Sequence, residues 1–338
     1  MHVLKPDPVK ELKAAGWECA EPFRNSLTVE NLTLHQEGLC AMHPTLGQMV
    51  GASTTTKPDG DSKAWYELIE RISTLQAAVE ESPTLELLNF QGERLKDIPR
   101  STVFPDISGP GFRAAKSNGV ALWSDFAGAA RGAVRELAER QLVLENWIGR
   151  RQPKILAAPQ ADRPVSALQN IYEIVVVSWG SIRTTVSDPL HGRSVFLFPK
   201  RPELPYAVGF GCHQDADRAR HQAEEECLQV MSFYYGEELP DESPEPQPSP
   251  GFHQEFYQYA PNRRVLQQWL HGRIRACRNP GAALECIDPG FVILPVVIPS
   301  SGFTVVKALC PDTLPLVFGD WLYGHAGLDE EAFRFHPI

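Results

Sequence analysis

The sequence has little clustered basic charge: 32 Lys and Arg stand against 42 Asp and Glu, for a formal net charge of -10 at pH 7. Non-specific attraction to nucleic acid requires clustered Lys and Arg that neutralise phosphates. The sequence has no run of about eighteen apolar residues that could span a membrane, and its N-terminus lacks the charged and then apolar segments of a signal peptide. We therefore expect a soluble, cytoplasmic protein with neither nucleic acid nor a membrane as partner.

Cysteine is scattered, with seven residues and no Cys-x-x-Cys pair. This pattern predicts neither a disulfide framework nor a four-ligand zinc site. The G-x-x-x-x-G-K-[ST] loop of Walker nucleotide sites and the kinase signatures are also missing. Gly209-x-Gly211 lacks the third glycine of a dinucleotide fingerprint. These absences exclude the classical phosphate-binding loops.

Three segments with apolar residues at helical spacing carry oxygen-bearing side chains three positions apart. The pairs are Glu67 with Glu70, Glu136 with Glu139, and Glu226 with Gln229. Residues three apart share one face of a helix, so each pair presents its two side chains together. One such pair is typical of an ordinary solvated face, whereas three similar pairs indicate a shared role.

Convergence of the three faces would bring five carboxylates together, which is costly unless cations neutralise them. Mg²⁺ fits, because it takes oxygen ligands and is usually held by carboxylates together with substrate phosphates. Arg71 and Arg140 each follow the second glutamate of a motif, and they can contact phosphate oxygens or pair with those acids. The pattern predicts a nucleoside triphosphate site of non-Walker type.

Several segments resemble motifs of the YcaO family, in that family's order along the chain. Ser117–Arg140 contains a Ser-Asn-Gly loop and then Glu-x-x-Glu-Arg, and Gly209–Gln229 contains a Gly-x-Gly-x-His-x-Asp turn and then Glu-x-x-Gln. Residues 51–71 and 305–321 are also similar to the family. The resemblance implies an α/β fold, a YcaO-type domain with mixed β-sheets and with helices carrying carboxylate motifs around the ATP site.

Carried over to this sequence, the resemblance implies two sets of site residues. The Mg²⁺ ligands would be Glu67, Glu70, Glu136, Glu139 and Glu226, and the ATP contacts would be Arg71, Ser117, Asn118, Arg140 and Gln229. His213 and Asp215 precede the third helix, where we expect a turn or packing role for the histidine and an N-cap for the aspartate. We expect residues 1–44 to form an N-terminal segment and candidate partner-docking region, followed by a YcaO-like domain at 45–338 with an exposed Pro-rich linker at 239–251.

The activity implied is that of an ATP-dependent cyclodehydratase. A Cys, Ser or Thr side chain of a ribosomally made precursor peptide attacks the preceding amide carbonyl, ATP phosphorylates the resulting oxyanion, and loss of phosphate leaves a thiazoline or oxazoline. The implied partners are the precursor peptide, a protein that binds its leader, and a flavin-dependent azoline dehydrogenase.

The sequence departs from the family pattern at Lys63, where the family has a serine, and at Gly128, where many members have an acid. An arginine often found after the glutamine of the third motif is also missing here. The alternatives are therefore a thioamide- or amidine-forming family member, or a YcaO-like scaffold subunit that has lost ATP turnover.

Overall fold

The glutamate motifs lie on three long helices, as their apolar spacing predicts. The computed structural model describes residues 8–58, 63–109, 111–157, 161–274, 283–320 and 335–338. Its helices are α1 (Pro8–Ala14), α2 (Lys63–Val79), α3 (Arg100–Val103), α4 (Phe126–Ile148), α5 (Ala216–Tyr234), α6 (Pro250–Phe256) and α7 (Ala260–Leu270). Two short 3₁₀ helices cover Pro164–Leu168 and Pro299–Ser301.

The strands are mostly short and lie between these helices. They are β1 (Glu18–Cys19), β2 (Phe23–Val29), β3 (Leu32–His43), β4 (Gly47–Thr55), β5 (Thr84–Leu88), β6 (Arg94–Pro99), β7 (Ser108–Gly109), β8 (Phe112–Ala114), β9 (Val120–Trp123), β10 (Lys154–Ile155), β11 (Tyr172–Thr184), β12 (Leu190–Pro199), β13 (Ala207–His213), β14 (Cys286–Ile287), β15 (Gly290–Leu294), β16 (Thr304–Leu309) and β17 (Val317–Gly319). The last residue of the predicted segment 305–321, Trp321, lies outside the described residues.

The strands of the described residues form four sheets. One has the order β10-β11-β12-β13 with β14 added to β11, and a second has the order β6-β5-β15-β16-β9. The N-terminal sheet has the order β1-β3-β2 with β4 on the other side of β3, and β17-β8-β7 is a small fourth sheet. Most pairings are antiparallel, and β11 with β14 is parallel. The predicted α/β class with mixed sheets is confirmed.

Three edge strands, β4, β9 and β13, are each followed by a long helix that packs back on the strand: α2 on β4, α4 on β9 and α5 on β13. Glycines permit the close approach in two of these units, because a Cβ on Gly51 would overlap the backbone of α2 and one on Gly209 would overlap the backbone of α5. Asp125 and Asp215 cap α4 and α5 by accepting hydrogen bonds from first-turn N–H groups. The predicted N-cap at Asp215 is confirmed.

Residues 18–43 contribute β1, β2 and β3 to the N-terminal sheet, and β3 pairs with β4 from His35 to His43. The expected boundary at residue 44 therefore lies within a β-hairpin. Residues 239–249 form neither helix nor strand, and Ser249 caps α6 by accepting a hydrogen bond from Phe252 N–H. The last two residues of the predicted linker thus begin a helix.

The main core lies between α4 and the sheet of β11, β12 and β13, where large aromatic side chains meet. Trp269 contacts Trp147 with ring centroids 4.8 Å apart and stacks on Trp179 at 5.5 Å. The six cysteines among the described residues are free thiols, and Cys277 lies outside them. In the described ranges no helix has the length and apolar character needed to cross a membrane.

Two buried histidines fasten the C-terminal residues to α6. The His253 ring stacks on His336 at 4.2 Å; its Nδ1–H donates to His336 O, and its Nε2 accepts from Gly319 N–H, both at 2.9 Å. Both ring nitrogens of His253 are thus used in the neutral form. Burial lowers the pKa of His253 to about 4, although the bond to His336 O opposes the shift.

Acidification should therefore weaken the fold. The His253 pKa is lower in the folded state than in the unfolded state, so between pH 6.5 and about 4 the unfolded chain binds the proton first. We expect His253 alone to lower the free energy of unfolding by about 2 kcal/mol between pH 7 and pH 5. Urea titrations at the two pH values test this, and His253→Asn, which cannot titrate, should lose less stability over that interval. An equal loss in both proteins would contradict the assignment.

Candidate functional site

Edge-strand N–H groups hold the first glutamate of each motif. Ala52 N–H on β4 donates to Glu67 Oε2 at 2.7 Å, and Val120 N–H on β9 donates to Glu136 Oε2 at 3.0 Å. In the third unit Phe210 N–H on β13 donates to Glu226 Oε2 at 2.6 Å. The same contact therefore recurs in three strand–helix units, and it orients each helix so that its motif faces the strand edge.

The second glutamates are held differently. Glu70 accepts at 3.0 Å from Leu122 N–H, which belongs to the edge strand of the next unit, so α2 is tied to β9. Glu139 lies 3.6 Å from Arg140 Nη1, and its side chain is 14% exposed. Unlike Glu67, Glu70, Glu136 and Glu226, Glu139 has no strand N–H group as a partner among the described residues, and its close partner is an arginine side chain.

The motifs on α4 and α5 line one pocket of about 400 Å³. Its lining residues include Glu136, Glu139, Glu226, Gln229, Lys63, Arg135 and Cys212. Glu67 and Glu70 are close to this group of acids. The charges of Glu136 and Glu67 act on Glu70, and the charge of Glu67 acts on Glu226. The three motif faces therefore lie close to one another.

Burial and mutual repulsion disfavour the charged form of these acids. Burial first, and then the charges of Glu136 and Glu67, raise the pKa of Glu70 to about 8 despite its bond from Leu122 N–H. Burial also raises the pKa of Glu139 to about 8; Arg140 opposes this shift, and Glu226 and Glu136 add to it. The pKa values of Glu136 and Glu226 are raised as well, chiefly by burial. The four acids that line the pocket outnumber its two cations, Lys63 and Arg135, and a divalent cation would supply the missing positive charge.

Within the described ranges, no three acidic, histidine or cysteine side chains meet as a ready-made metal site. An ion bound in the pocket would take one or two carboxylates, with water and phosphate oxygens as its remaining ligands. This is the usual way in which proteins hold Mg²⁺ together with a nucleotide. The donor chemistry therefore fits Mg²⁺ bound with a phosphate chain.

The two predicted arginines differ in their surroundings. Arg71 is half-exposed; it pairs with Glu67 at 2.5 Å and donates to Val50 O at 2.8 Å. Arg140 is mostly buried, and its Nε has no hydrogen-bond partner among the described residues. An unpartnered donor of this kind fits an oxygen-rich ligand.

Ser117 and Asn118 lie in the loop that enters β9. Ser117 is exposed, whereas Asn118 Oδ1 is buried and has no hydrogen-bond partner in the part of the chain that the structure describes. Buried Lys307 on β16 holds this loop, since its Nζ donates to Lys116 O at 2.8 Å and to Asn118 O at 2.6 Å. The loop is therefore fixed in place next to the motif of α4.

Two of the three departures from the family pattern, Gly128 and Lys63, have structural counterparts. A Cβ on Gly128 would overlap the indole of Trp123, which covers this position. Lys63 forms an ion pair with Glu225 at 3.0 Å between the N-terminus of α2 and α5. His213 Nδ1 accepts from Asp215 N–H at 2.9 Å, which is the expected turn-capping role.

Sequence reasoning missed two residues of this region, Lys307 and Arg135. Lys307 was detectable as a lone charge in the apolar strand run TVVKAL, where a buried lysine must find partners. Arg135 had no comparable signal, because nothing in a helical sequence shows that one of its arginines faces a pocket.

We expect Glu139→Gln to stabilise the protein in the absence of divalent cations, because the amide has the same shape without the disfavoured charge. In EDTA at pH 8 the Tm should rise by about 2–5 °C. Mg²⁺ should raise the Tm of the wild type and have little effect on the variant. Glu86→Gln, which removes an exposed carboxylate on β5, is the control. Equal Mg²⁺-dependent shifts in wild type and Glu139→Gln would show that Glu139 is not near the ion.

Lys307→Met should loosen the loop before β9, because the carbonyls of Lys116 and Asn118 lose their donor. We expect a loss of about 1–3 kcal/mol in the free energy of unfolding and faster amide exchange over residues 116–120. Lys200→Met is a matched control, since Lys200 Nζ donates to Gln169 O at an exposed site. Unchanged exchange in Lys307→Met would contradict the positioning role.

The fold is similar to that of two groups of solved structures. YcaO from Methanopyrus kandleri, bound with AMPPCP and Mg²⁺, matches with a TM-score of 0.58 and 15% identity over 89% of this chain and 87% of that one. The E. coli microcin synthetase McbBCD complex matches with a TM-score of 0.54 and 13% identity over 86% and 88%. The same complex with pro-MccB17 bound gives a TM-score of 0.53 and 12% identity over 86% and 88%. No curated protein matches the sequence.

The model of the family described as YcaO cyclodehydratase, ATP- and Mg²⁺-binding, matches residues 78–285, more than half of the chain. The matched range contains the motifs of α4 and α5. The match confirms the resemblance read from the motifs, and with it an ATP-dependent cyclodehydratase enzyme with ATP and Mg²⁺ as cofactors. The chain therefore belongs to the YcaO family of ATP- and Mg²⁺-binding cyclodehydratases.

Proposed function

We propose that this protein activates backbone amides of a ribosomally made precursor peptide and forms thiazoline or oxazoline rings from its Cys, Ser or Thr residues. The observation that carries the proposal is the convergence of the glutamate motifs of α4 and α5 on one pocket in which acids outnumber cations. A pocket of oxygen donors suits a metal-bound nucleotide.

In this proposal Glu67, Glu70, Glu136, Glu139 and Glu226 form the metal-binding set, and Arg71, Ser117, Asn118, Arg140 and Gln229 the nucleotide-binding set. Glu136, Glu139 and Glu226 are the most direct candidates for the ion, because all three line the pocket. Arg140 Nε and Asn118 Oδ1 offer a buried donor and a buried acceptor to the ligand. ATP bound there would supply the phosphoryl group that turns the amide oxygen into a leaving group.

In this proposal the chain contributes chiefly by positioning the reacting groups and by stabilising their charge. Phosphoryl transfer requires little covalent help from a protein, and most of its catalysis comes from alignment and electrostatic stabilisation. The backbone bonds to Glu136 and Glu226 fix those carboxylates before a ligand arrives. No nucleophilic side chain of this chain is required, since the attacking group belongs to the peptide.

The precursor peptide and a leader-binding partner protein are proposed partners, together with a flavin-dependent dehydrogenase that would oxidise the product. We propose residues 1–44 as the region on which a partner docks, with the remaining chain as the YcaO-like domain. The exposed apolar side chains of Phe23 and Met42 support this proposal. We place the activity in the cytoplasm, where both ATP and new ribosomal products are available.

The test combines the full chain with its candidate precursor, partner proteins, ATP and Mg²⁺. Mass spectrometry should detect peptide lighter by one water per ring, with one phosphate released for each ring. Glu139→Ala should lower the rate roughly a hundredfold, while Glu86→Gln should leave it near that of the wild type. A sulfur source or a backbone amine in the mixture separates thioamide and amidine formation from ring formation.

Two results would overturn the proposal. If phosphate release is the same in wild type and Glu139→Ala, the pocket does not turn over ATP. If ATP binds normally but the precursor never loses water, the protein is a scaffold or carries out another reaction of the family.

A further inference from the structure

Arg135 is a cation in the carboxylate pocket, and no side chain among the described residues pairs with its charge. It lines the pocket with Glu136, Glu139 and Glu226. Glu139 follows it by four positions, a spacing that suits an ion pair on a helix. Among the described residues, however, Arg135 forms neither an ion pair nor a hydrogen bond. Its guanidinium is therefore available to a ligand of the pocket.

The surroundings of Arg135 favour an anion. Arg131 lies one turn earlier on the same helix face, and like charges at this spacing destabilise a helix. Arg218 lies in the first turn of α5, at the positive end of the helix dipole. The Arg135 side chain is also partly buried, which adds the cost of desolvating its charge. A bound anion would offset each of these costs.

The acids of the same pocket decide which anion fits. A carboxylate-rich peptide would be repelled by Glu136, Glu139 and Glu226, whereas a phosphate chain carrying Mg²⁺ satisfies the acids through the metal and the arginine directly. We propose that Arg135 binds the phosphate chain of the nucleotide. Guanidinium is well suited to this contact, because its planar fork can donate two hydrogen bonds to one phosphate. The proposal rests on the proposed function, since it places the nucleotide in this pocket.

The experiment measures binding of a non-hydrolysable ATP analogue and of adenosine to the full chain by calorimetry in Mg²⁺. Arg135→Gln should weaken analogue binding roughly ten- to a hundredfold and change adenosine binding by less than about twofold. Arg135→Lys should recover part of the loss, because it keeps the charge without the fork. Arg131→Gln, which removes a neighbouring arginine that does not line the pocket, should weaken binding less than about threefold.

The outcomes separate this proposal from the proposed function. If Arg135→Gln binds the analogue like the wild type while Glu139→Gln loses Mg²⁺-dependent binding, the role of Arg135 is wrong and the carboxylate site stands. Equal losses for the analogue and adenosine would also overturn it, because the defect would then not concern phosphate. If the wild type itself binds no analogue in Mg²⁺, both proposals fail.

Discussion

The site depends on one contact, a hydrogen bond from an edge-strand N–H group to a helix glutamate. An edge strand exposes backbone donors that must find partners, and a buried unpaired donor costs about 1–3 kcal/mol. In β4, β9 and β13 a carboxylate of the following helix supplies the partner. The glutamates that form the pocket are therefore also the groups that close the sheet edges, so the fold and the site share the same residues.

This double use leaves the carboxylates poorly balanced in charge. Each strand bond occupies one oxygen and favours the charged form, but burial and the neighbouring acids oppose it, and burial prevails at Glu136 and Glu226. Their pKa values are raised despite the bonds. A protein without metal must hold protons or accept repulsion here, whereas a divalent cation removes both costs. The pocket thus gives up stability in the free state for affinity toward a charged ligand, a common exchange at functional sites.

The sequence was sufficient to predict the helices and the motifs on them, because side chains three and four apart share a face wherever a helix forms. It was not sufficient to predict which backbone groups the glutamates of these motifs contact. Glu136 meets Val120, and Glu226 meets Phe210, only because both strands lie at sheet edges, and edges are set by pairings distant in the chain, such as β9 with β16. Lys307 contacts the loop before β9 across 189 residues. Contacts of that range have no local pattern from which they could be read.

Gly128 shows how a departure in sequence becomes intelligible in the structure. In the sequence alone, glycine at this position means the loss of an acid that could bind metal. In the fold its Cα hydrogen faces the Trp123 indole, which leaves no room for any Cβ, so an acid at 128 and this position of the indole exclude each other. Glu136 and Glu139 lie two and three turns further along α4, and their contacts with Val120 and Arg140 do not involve this pair. Gly128 therefore lies at the N-terminal end of the helix, away from the carboxylates that line the pocket.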